Sequence, residues 1–379
     1  MLLVTAGCSA PSPSPSAADS SWARGSVEQP EEVTARPSAT PAYCAPCHPA
    51  VITEMRDVAA TDDGFVAVGS QTPNTAMVWT STDARSWTIA TGLADPAGQR
   101  LEAVAARGAT VVAAGRGPQS VAAWVRVGGE WTAARVPGVE GAISAVVATD
   151  SGYLAGGYIG PEFGIARAAF WRSGDGTSWT PVPDDPGFAD GRVAALAATD
   201  AGYVAVGASG SPGSDQLGAV SWTSPDGISW RRAPAQLALA DAAMLSVAVT
   251  PVAIAAVGTT ASGDDAAAWT SSDGLTWTRA PDAPSFASNS TYSPHAQMSD
   301  VVATSDGLLA VGWNSSAANG SAVIWTSPDG VTWTRAADAP SLSGGGMSGV
   351  TLRDLVAVAV GSTGWPDTHA ATAWSHELH

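Results

Sequence analysis

Lysine is absent from this 379-residue chain, charged side chains are scarce and long apolar runs are missing. All seventeen basic residues are arginine, which we interpret as codon bias. The formal net charge of −17 argues against nucleic-acid binding, because phosphates are held by basic patches. No stretch of 18 apolar residues occurs, so no segment is predicted to span a membrane.

Glycine and proline are abundant instead, with 41 and 26 residues. Together with a charged fraction of only 13%, this composition is typical of many short strands joined by turns. A helical protein is therefore not expected.

One unit recurs along the chain: an apolar strand, a tight turn and a second strand that begins at a Trp. It is clearest at Ala322–Arg335 and recurs at Ala266–Arg279, Ala219–Arg232, Ala168–Val182, Ala76–Ala90 and Val121–Arg135, with a half copy at Ala370–Ser375. Each copy follows a pair of apolar strands that ends at Gly, namely Met55–Gly69, Leu101–Gly115, Ile143–Gly157, Val193–Gly207, Met244–Gly258, Met298–Gly312 and Met347–Gly361.

The spacing of these copies predicts an all-β fold. Seven copies, 45 to 56 residues apart, each supply four strands, which is the period of a β-propeller blade. The strands are nearly continuous apolar runs, as expected when neighbouring blades cover both faces. We therefore predict a seven-bladed β-propeller of four-stranded blades, in which the thirteen repeat tryptophans belong to the core.

The seventh copy stops soon after Trp374 and lacks a fourth strand. Because Ser20–Arg24 resembles the start of a fourth strand, we expect an N-terminal strand carrying Trp22 to close the ring; closure by Val51–Thr53 is the alternative. The predicted organisation is a Pro/Ser tether over 1–18, an arm over 19–54 and the propeller over 55–379.

The turns share the pattern Ser-x-Asp-Gly-x-Ser/Thr-Trp, found at Ser173–Trp179, Ser224–Trp230, Ser271–Trp277 and Ser327–Trp333. This pattern resembles the Asp-box, or BNR, repeat of sialidases and other propeller proteins. We expect the Asp to accept backbone hydrogen bonds, the Gly to take a positive φ and the Trp to pack over the turn.

The resemblance implies conditions for sialidase activity: three arginines that grip a carboxylate, a Tyr–Glu nucleophile pair and an acid Asp. Arg56, Arg100 and Arg192 lie near the starts of inner strands, and Tyr158 lies four residues before Glu162. The family's Phe/Tyr-Arg-Ile-Pro motif is missing. The residues therefore favour a non-catalytic module, with an exo-sialidase-like glycoside hydrolase as the alternative.

Variable loops fall on one face of the predicted propeller, where sites are usually built. Aromatic, imidazole and amide side chains there suit a glycan or a protein ligand, and the candidates are Trp313, Trp365, Tyr292, His295 and Asn314. Alternatively, the two tryptophans plug the channel. A weaker second candidate site comprises Tyr158, Glu162 and Phe163.

Three cysteines carry separate predictions. Cys8 ends a stretch resembling a bacterial lipobox and precedes a Pro/Ser tether, which predicts lipidation. Cys44, Cys47 and His48 form Cys-x-x-Cys-His, for which we favour a Cys44–Cys47 disulfide. Haem attachment, with a redox role, and metal binding are alternatives.

The sequence thus predicts an extracytoplasmic binding or interaction module, lipid-anchored or secreted. Its expected ligand is a glycan or an extracellular protein. We expect a monomer without cofactor or metal, which meets the membrane only through the lipid.

Overall fold

The computed structural model describes residues 22–30, 52–93, 95–210, 217–290, 295–315, 320–364 and 369–378. Within these ranges the chain forms seven β-sheets, each with four consecutive antiparallel strands, so the prediction of a seven-bladed propeller is confirmed. None of the helices in the described ranges is long and apolar enough to cross a membrane.

Each blade begins with two long strands beside the channel. The inner strands are β3 (Thr53–Thr61), β7 (Arg100–Arg107), β11 (Gly141–Thr149), β15 (Arg192–Thr199), β19 (Ala242–Val249), β23 (Ala296–Thr304) and β27 (Gly345–Arg353). The second strands are β4 (Gly64–Gln71), β8 (Thr110–Arg116), β12 (Gly152–Ile159), β16 (Gly202–Ser209), β20 (Ile254–Thr260), β24 (Gly307–Asn314) and β28 (Val356–Thr363).

The outer half of each blade carries the tryptophans. The third strands are β5 (Thr75–Ser81), β9 (Val121–Val127), β13 (Arg167–Ser173), β17 (Gly218–Ser224), β21 (Ala266–Ser271), β25 (Ser321–Ser327) and β29 (Ala370–Glu377). The fourth strands of blades one to six are β6 (Ser86–Ile89), β10 (Glu130–Ala133), β14 (Thr180–Pro181), β18 (Arg231–Arg232), β22 (Thr278–Arg279) and β26 (Thr334–Arg335).

The N-terminal arm supplies the missing strand, as predicted. Strand β1 (Ala23–Arg24) pairs antiparallel with β29 and completes blade seven. Trp22 is 5% exposed and stacks on the ring of His376 at a centroid distance of 5.4 Å. Closure by Val51–Thr53 is wrong, because Thr53 begins the inner strand of blade one.

The arm also makes a contact that the sequence did not indicate. Strand β2 (Ser26–Val27) pairs in parallel with β6 and adds a fifth strand to blade one. One short segment therefore ties blade seven to blade one through two different sheets.

The core lies between the blades rather than inside a single layer. Its apolar clusters take residues from adjacent blades, as in the cluster that joins Val257 of blade five to Met298 of blade six. All thirteen repeat tryptophans are buried, which confirms that they are core residues.

Three short 3₁₀ turns lie in the connections between blades, at Pro186–Phe188, Leu237–Leu239 and Pro340–Leu342. Each inserts an apolar side chain into the core and offers a backbone carbonyl to a tryptophan of the following blade. For example, Trp269 donates from Nε1 to the carbonyl oxygen of Ala238 at 2.7 Å. These contacts fix the connections to the outer halves of the blades.

The Ser-x-Asp-Gly turns have the expected geometry. In blade four the Asp226 carboxylate accepts hydrogen bonds from the backbone N–H groups of Ile228 and Ser229 at 2.8 and 2.7 Å. Gly227 has a φ of +71°, and Trp230 is buried. These turns share one face of the ring, hereafter the turn face, and the longer connections share the opposite loop face.

A β-bulge interrupts every inner strand near the loop face. The residues bulged out of the pairing are Arg56, Glu102, Ser144, Ala194, Leu245, Ser299 and Ser348. A Gly on the second strand faces each bulge. In blade four this is Gly207, where a Cβ would lie only 1.8 Å from the carbonyl oxygen of Arg192. The Gly that ends each repeat pair is therefore required by this close backbone approach.

Candidate binding site at the channel mouth

The seven bulged residues meet around the channel on the loop face. All of them line a recess of about 390 Å³ that also includes Tyr158, Arg192 and Gln297. Bulges redirect side chains at the rims of closed sheets and are frequent next to functional sites. We call this recess the channel mouth, and it is the candidate functional site.

Blades one to four place charged side chains at and beside the mouth. Arg56, Glu102 and Arg192 line it, and ion pairs connect them to their neighbours. We call the set the charged arc: Glu54, Arg56, Arg100, Glu102, Arg116, Glu162 and Arg192. Within it, Arg56 donates to Glu54 at 2.5 Å, and Arg100 lies 3.9 Å from the carboxylate of Glu102. Burial lowers the pKa of Arg56, but the carboxylates of Glu102 and Glu54 outweigh it and raise that pKa.

Glu162 is the centre of the charged arc. Its carboxylate contacts Arg100 through one oxygen and Arg116 through the other, the latter at 2.8 Å. Burial alone would raise the pKa of Glu162, but the hydrogen bond and charge of Arg100, with the charges of Arg116 and Arg192, lower it. The carboxylate is therefore ionised at neutral pH.

Arg192 fixes the loop that carries Glu162. Its Nη2 donates to the carbonyl oxygens of Pro161 and Gly164 at 2.7 and 3.1 Å. The guanidinium also lies 4.0 Å from the ring centroid of Tyr158, a cation–π contact. Arg56 and Arg192 line the mouth and Arg100 lies beside it, and all three contact groups of the protein itself.

The described residues that line the other side of the mouth are uncharged. We call this the uncharged arc, formed by Leu245, Gln297, Ser299 and Ser348. Gln297 donates from Nε2 to the Ser299 hydroxyl at 3.0 Å, so its amide is oriented along the rim. The mouth is therefore charged on one side and uncharged on the other.

Trp313 lies beside the uncharged arc, in register with Gln297 across the strand pair. Its half-buried indole stacks on His295 at 5.8 Å. Gly320 and Gly346 border the ring, and a Cβ on Gly320 would lie 2.1 Å from the indole nitrogen. Trp313 therefore covers the contact between blades six and seven and exposes only part of its ring.

Asn314 is 1% exposed and holds a loop. Its Oδ1 accepts from the backbone N–H of Asn289 at 2.9 Å, and its Nδ2 donates to the carbonyl oxygen of Ala287 at 3.0 Å. Both ends of the amide are thus bound to the connection between blades five and six, which positions that connection beside His295.

Below the mouth the channel narrows to a throat of about 200 Å³ that contains Asp57 and Asp300. Asp57 accepts the backbone N–H groups of Val58 and Val104. Asp300 accepts the N–H groups of Val301 and Val350 and the hydroxyl of Ser246. Each carboxylate therefore bridges neighbouring inner strands.

Both throat carboxylates hold protons more tightly than a free Asp. Burial between the blades, with the charge of Asp300, raises the pKa of Asp57 to about 7, against its backbone hydrogen bonds. Burial likewise raises the pKa of Asp300 to about 6. Gly349 lies between them, where a Cβ would come within 3.4 Å of Asp57 Oδ1.

Several predicted residues lie outside the described ranges, and their predictions stay untested: the tether over 1–18 with Cys8, the segment with Cys44, Cys47 and His48, and the aromatic residues Tyr292 and Trp365. Among the described residues, no group of three or more His, Cys, Asp or Glu side chains could hold a metal ion.

Arg116, the throat carboxylates and most of the bulged residues are not among the residues predicted from the sequence. A signal for the bulges exists, since each follows the apolar residue that opens a repeat, as Arg56 follows Met55. Arg100 and Arg116 also flank the pair Leu101–Gly115 symmetrically, so they face each other across two strands.

Comparison with known proteins identifies the fold. Residues 166–354 match the family model of the DUF6242 beta propeller domain. No curated protein sequence matches the chain. A solved structure of YCF48 bound to D1 peptide is similar, with 16% identity and a TM-score of 0.56 over 87% of this chain and 93% of that one.

Two further structures resemble the chain. A Trypanosoma rangeli sialidase in complex with 2,3-difluorosialic acid has 14% identity and a TM-score of 0.51 over 86% of this chain and 54% of the sialidase, so the chain spans about half of that enzyme. A Lactobacillus plantarum protein has 11% identity and a TM-score of 0.53, over 86% and 97% of the two chains. These likenesses show a shared propeller fold.

Proposed function

We propose that the chain is a non-catalytic binding module that holds a segment of another protein at the channel mouth. The observation that carries this proposal is the ring of seven bulged side chains around one open recess. The rigid inner strands hold these side chains in place, while their chemistry differs from blade to blade. Such a surface distinguishes the two ends and the side chains of a bound segment.

The state of the carboxylates supports binding rather than hydrolysis. Glycoside hydrolysis needs a proton donor and a second free carboxylate or an activated tyrosine. Here Glu162 is engaged by two arginines and has a lowered pKa, so it makes a poor proton donor. Asp57 and Asp300 have raised pKa values, but hydrogen bonds from adjacent strands occupy their oxygens.

A protein ligand is favoured over a glycan because ionic, amide and hydroxyl groups line the mouth, and Tyr158, the aromatic residue in its described lining, is buried. Trp313, the aromatic residue nearest to Gln297, is half-buried by its neighbours. The similar propeller YCF48 was solved bound to a peptide, which agrees with this use of the fold. A glycan ligand for Trp313 and His295 is the other outcome to be tested.

Sialidase-like hydrolysis is the second candidate, because one observation favours it: four arginines surround the mouth of a fold shared with a sialidase. The turns of blades three to six also fit the Asp-box pattern. Turnover of a fluorogenic sialoside by the full chain would overturn the non-catalytic role, and absence of turnover above a buffer blank is expected.

The proposal includes display outside the cytoplasm through a lipid on Cys8, supported by the lipobox-like sequence before it. Metabolic labelling with a fatty acid is expected to mark the wild-type protein and not the Cys8→Ser variant. Equal labelling of both proteins, or of neither, would contradict the anchor.

The binding role is tested with peptides selected from a random display library by the full chain. Ser348 lies on the rim of the mouth, whereas Ser151 is an exposed turn residue on the turn face. Ser348→Trp is expected to weaken binding of the selected peptides at least tenfold, and Ser151→Trp to leave it unchanged. Equal affinities of the two variants would place the site elsewhere.

A further inference from the structure

The carboxylate of Glu162 occupies a fork of two arginines that belongs to another blade. Arg100 at the start of β7 and Arg116 at the end of β8 are cross-strand partners in blade two. Glu162 reaches them from the connection between β12 and β13 of blade three. The fork is thus part of a rigid strand pair, whereas the carboxylate that fills it is on a loop.

The ion pairs lie at the surface of the mouth and are accessible. The side chain of Glu162 is 35% exposed, and those of Arg100 and Arg116 are 27% and 21% exposed. A carboxylate arriving from solvent can therefore reach the same guanidinium groups. Arg100 donates a charge-assisted hydrogen bond to this carboxylate, and Arg116 adds an ion pair at 2.8 Å, so the fork attracts a carboxylate strongly.

The loop that carries Glu162 has few apolar contacts of its own. Phe163 and Ile165, on either side of Gly164, are each 74% exposed. Apart from the ion pairs of Glu162, the loop accepts two hydrogen bonds from Arg192 and one from the N–H of Gly191 to the carbonyl of Ala166. Gly160 also donates to the carbonyl of Glu140 in its own blade. A segment held by few polar contacts opens at a low free-energy cost.

We propose that Glu162 is an internal substitute for an acidic side chain of the partner, which displaces it from Arg100 and Arg116. This inference rests on the binding role proposed above and specifies the partner: a segment with Glu or Asp followed by an apolar residue. The acidic group replaces Glu162 in the fork, and the apolar residue covers Phe163 and Ile165. The loop's own order, Glu162 before Phe163, is the template for that segment.

Charge complementarity supports this choice of partner. The charged arc has four arginines and three glutamates, so it carries an excess of positive charge that grows when Glu162 leaves the fork, in a protein of net charge −17. An acidic group of the partner offsets that excess as Glu162 does. An internal competitor at an effective concentration in the millimolar range weakens external binding, so its removal strengthens that binding.

The experiment uses the full chain and the acetylated, amidated peptide Gly-Pro-Glu-Phe-Gly-Ile, which has the sequence of the loop. Binding is measured by fluorescence anisotropy of a labelled copy. We expect the Glu162→Gln variant to bind this peptide about tenfold more tightly than the wild type. A peptide with Gln in place of Glu is expected to bind the variant at least tenfold more weakly.

Matched variants separate the fork from general electrostatics. Glu140→Gln removes an exposed negative charge on the same face without touching the fork, and it is expected to bind like the wild type. The double variant with both Glu162→Gln and Arg116→Gln is expected to lose the gain in peptide affinity. Equal affinity of Glu162→Gln and the wild type, or of the Glu and Gln peptides, would overturn the inference.

These outcomes are distinct from those for the binding role. If selected peptides still bind at Ser348 while Glu162→Gln changes nothing, the mouth binds a segment of different chemistry and only this inference fails. If neither selected nor loop peptides respond to changes at the mouth, both proposals fail.

Discussion

The indole of Trp79 donates a hydrogen bond from Nε1 to the backbone carbonyl oxygen of Glu28 at 3.1 Å. In blades four to seven the equivalent tryptophan bonds to the connection that enters its own blade, as Trp374 does to Ser341 at 2.8 Å. The N-terminal arm therefore has the same structural role for blade one as an inter-blade connection. Ring closure therefore uses the same type of contact as the junctions that lead into blades four to seven.

The first prediction concerns this closure. Trp22→Ala removes a buried indole from the core between blades six and seven and is expected to lower the free energy of unfolding by about 3–5 kcal/mol. Trp313→Ala, at a half-buried position, is expected to cost less. Denaturant unfolding followed by circular dichroism measures both, and equal losses would mean that Trp22 is not part of the closed core.

The second prediction concerns the bulges. A Cβ at Gly207 would lie 1.8 Å from the carbonyl oxygen of Arg192, so Gly207→Ala must displace the bulge of blade four. We expect a loss of at least about 2 kcal/mol in unfolding free energy. Gly138→Ala is the control, because no atom lies within 4 Å of its Cβ, and a change within about 1 kcal/mol is expected. A mild effect at Gly207 would contradict the close approach.

The third prediction is a pH dependence with two opposite parts. Asp83 and Asp226 have pKa values lowered to about 2, first by backbone hydrogen bonds, so their stabilisation is lost as pH falls from about 4 to 2. Asp57 and Asp300 have raised pKa values, so the folded state holds their protons more tightly. Stability from these two groups falls as pH rises from about 4 to 7.

Unfolding free energy is therefore expected to be greatest near pH 4. Asp300→Asn removes one of the two titrating carboxyl groups of the throat. The decline in unfolding free energy between pH 4 and 7 should therefore be less steep in this variant. Asp306→Asn, at an exposed turn position, should leave the change of unfolding free energy with pH as in the wild type. Identical slopes in the two variants would show that the throat carboxylate does not titrate in this range.

The fourth prediction concerns the loop of Glu162. Phe163 is exposed, and chymotrypsin cleaves after it only when the loop opens away from blade two. Glu162→Gln loses the charge-assisted contacts and is expected to be cleaved there about three to ten times faster than the wild type. Arg192→Lys loses contacts to Pro161 and Gly164 and should act in the same direction. Cleavage after the exposed Leu237 is the internal control. If the ratio of cleavage after Phe163 to cleavage after Leu237 is the same in the variants and the wild type, these contacts do not hold the loop.

The sequence predicted the propeller well because the fold depends on local, repeated chemistry. In blades three to six the second Trp follows the Asp of its turn at a constant spacing, and the apolar runs mark the strands. Trp22 was recognisable because Ser20–Arg24 repeats the start of a fourth strand. The parallel pairing of β2 was not, since two residues, Ser26 and Val27, carry no pattern.

The site was harder to predict because it depends on which residues the ring brings together. Glu162 and Arg116 are 46 positions apart in sequence and meet only when blades two and three pack. Trp313 is recognisable as an extra aromatic residue, but the glycines that enclose it, Gly320 and Gly346, come from different blades. Burial of this kind follows from tertiary packing and leaves no periodic signal.

The central claim is that ligand binds on the loop face, at the channel mouth. Hydrogen exchange of the full chain with and without a library-selected peptide tests it directly. We expect slower exchange in the loop 160–165 and in the inner-strand start 296–300, and no change in the turns at 150–152 and 226–229. Protection confined to those turns, with the mouth unaffected, would contradict the account.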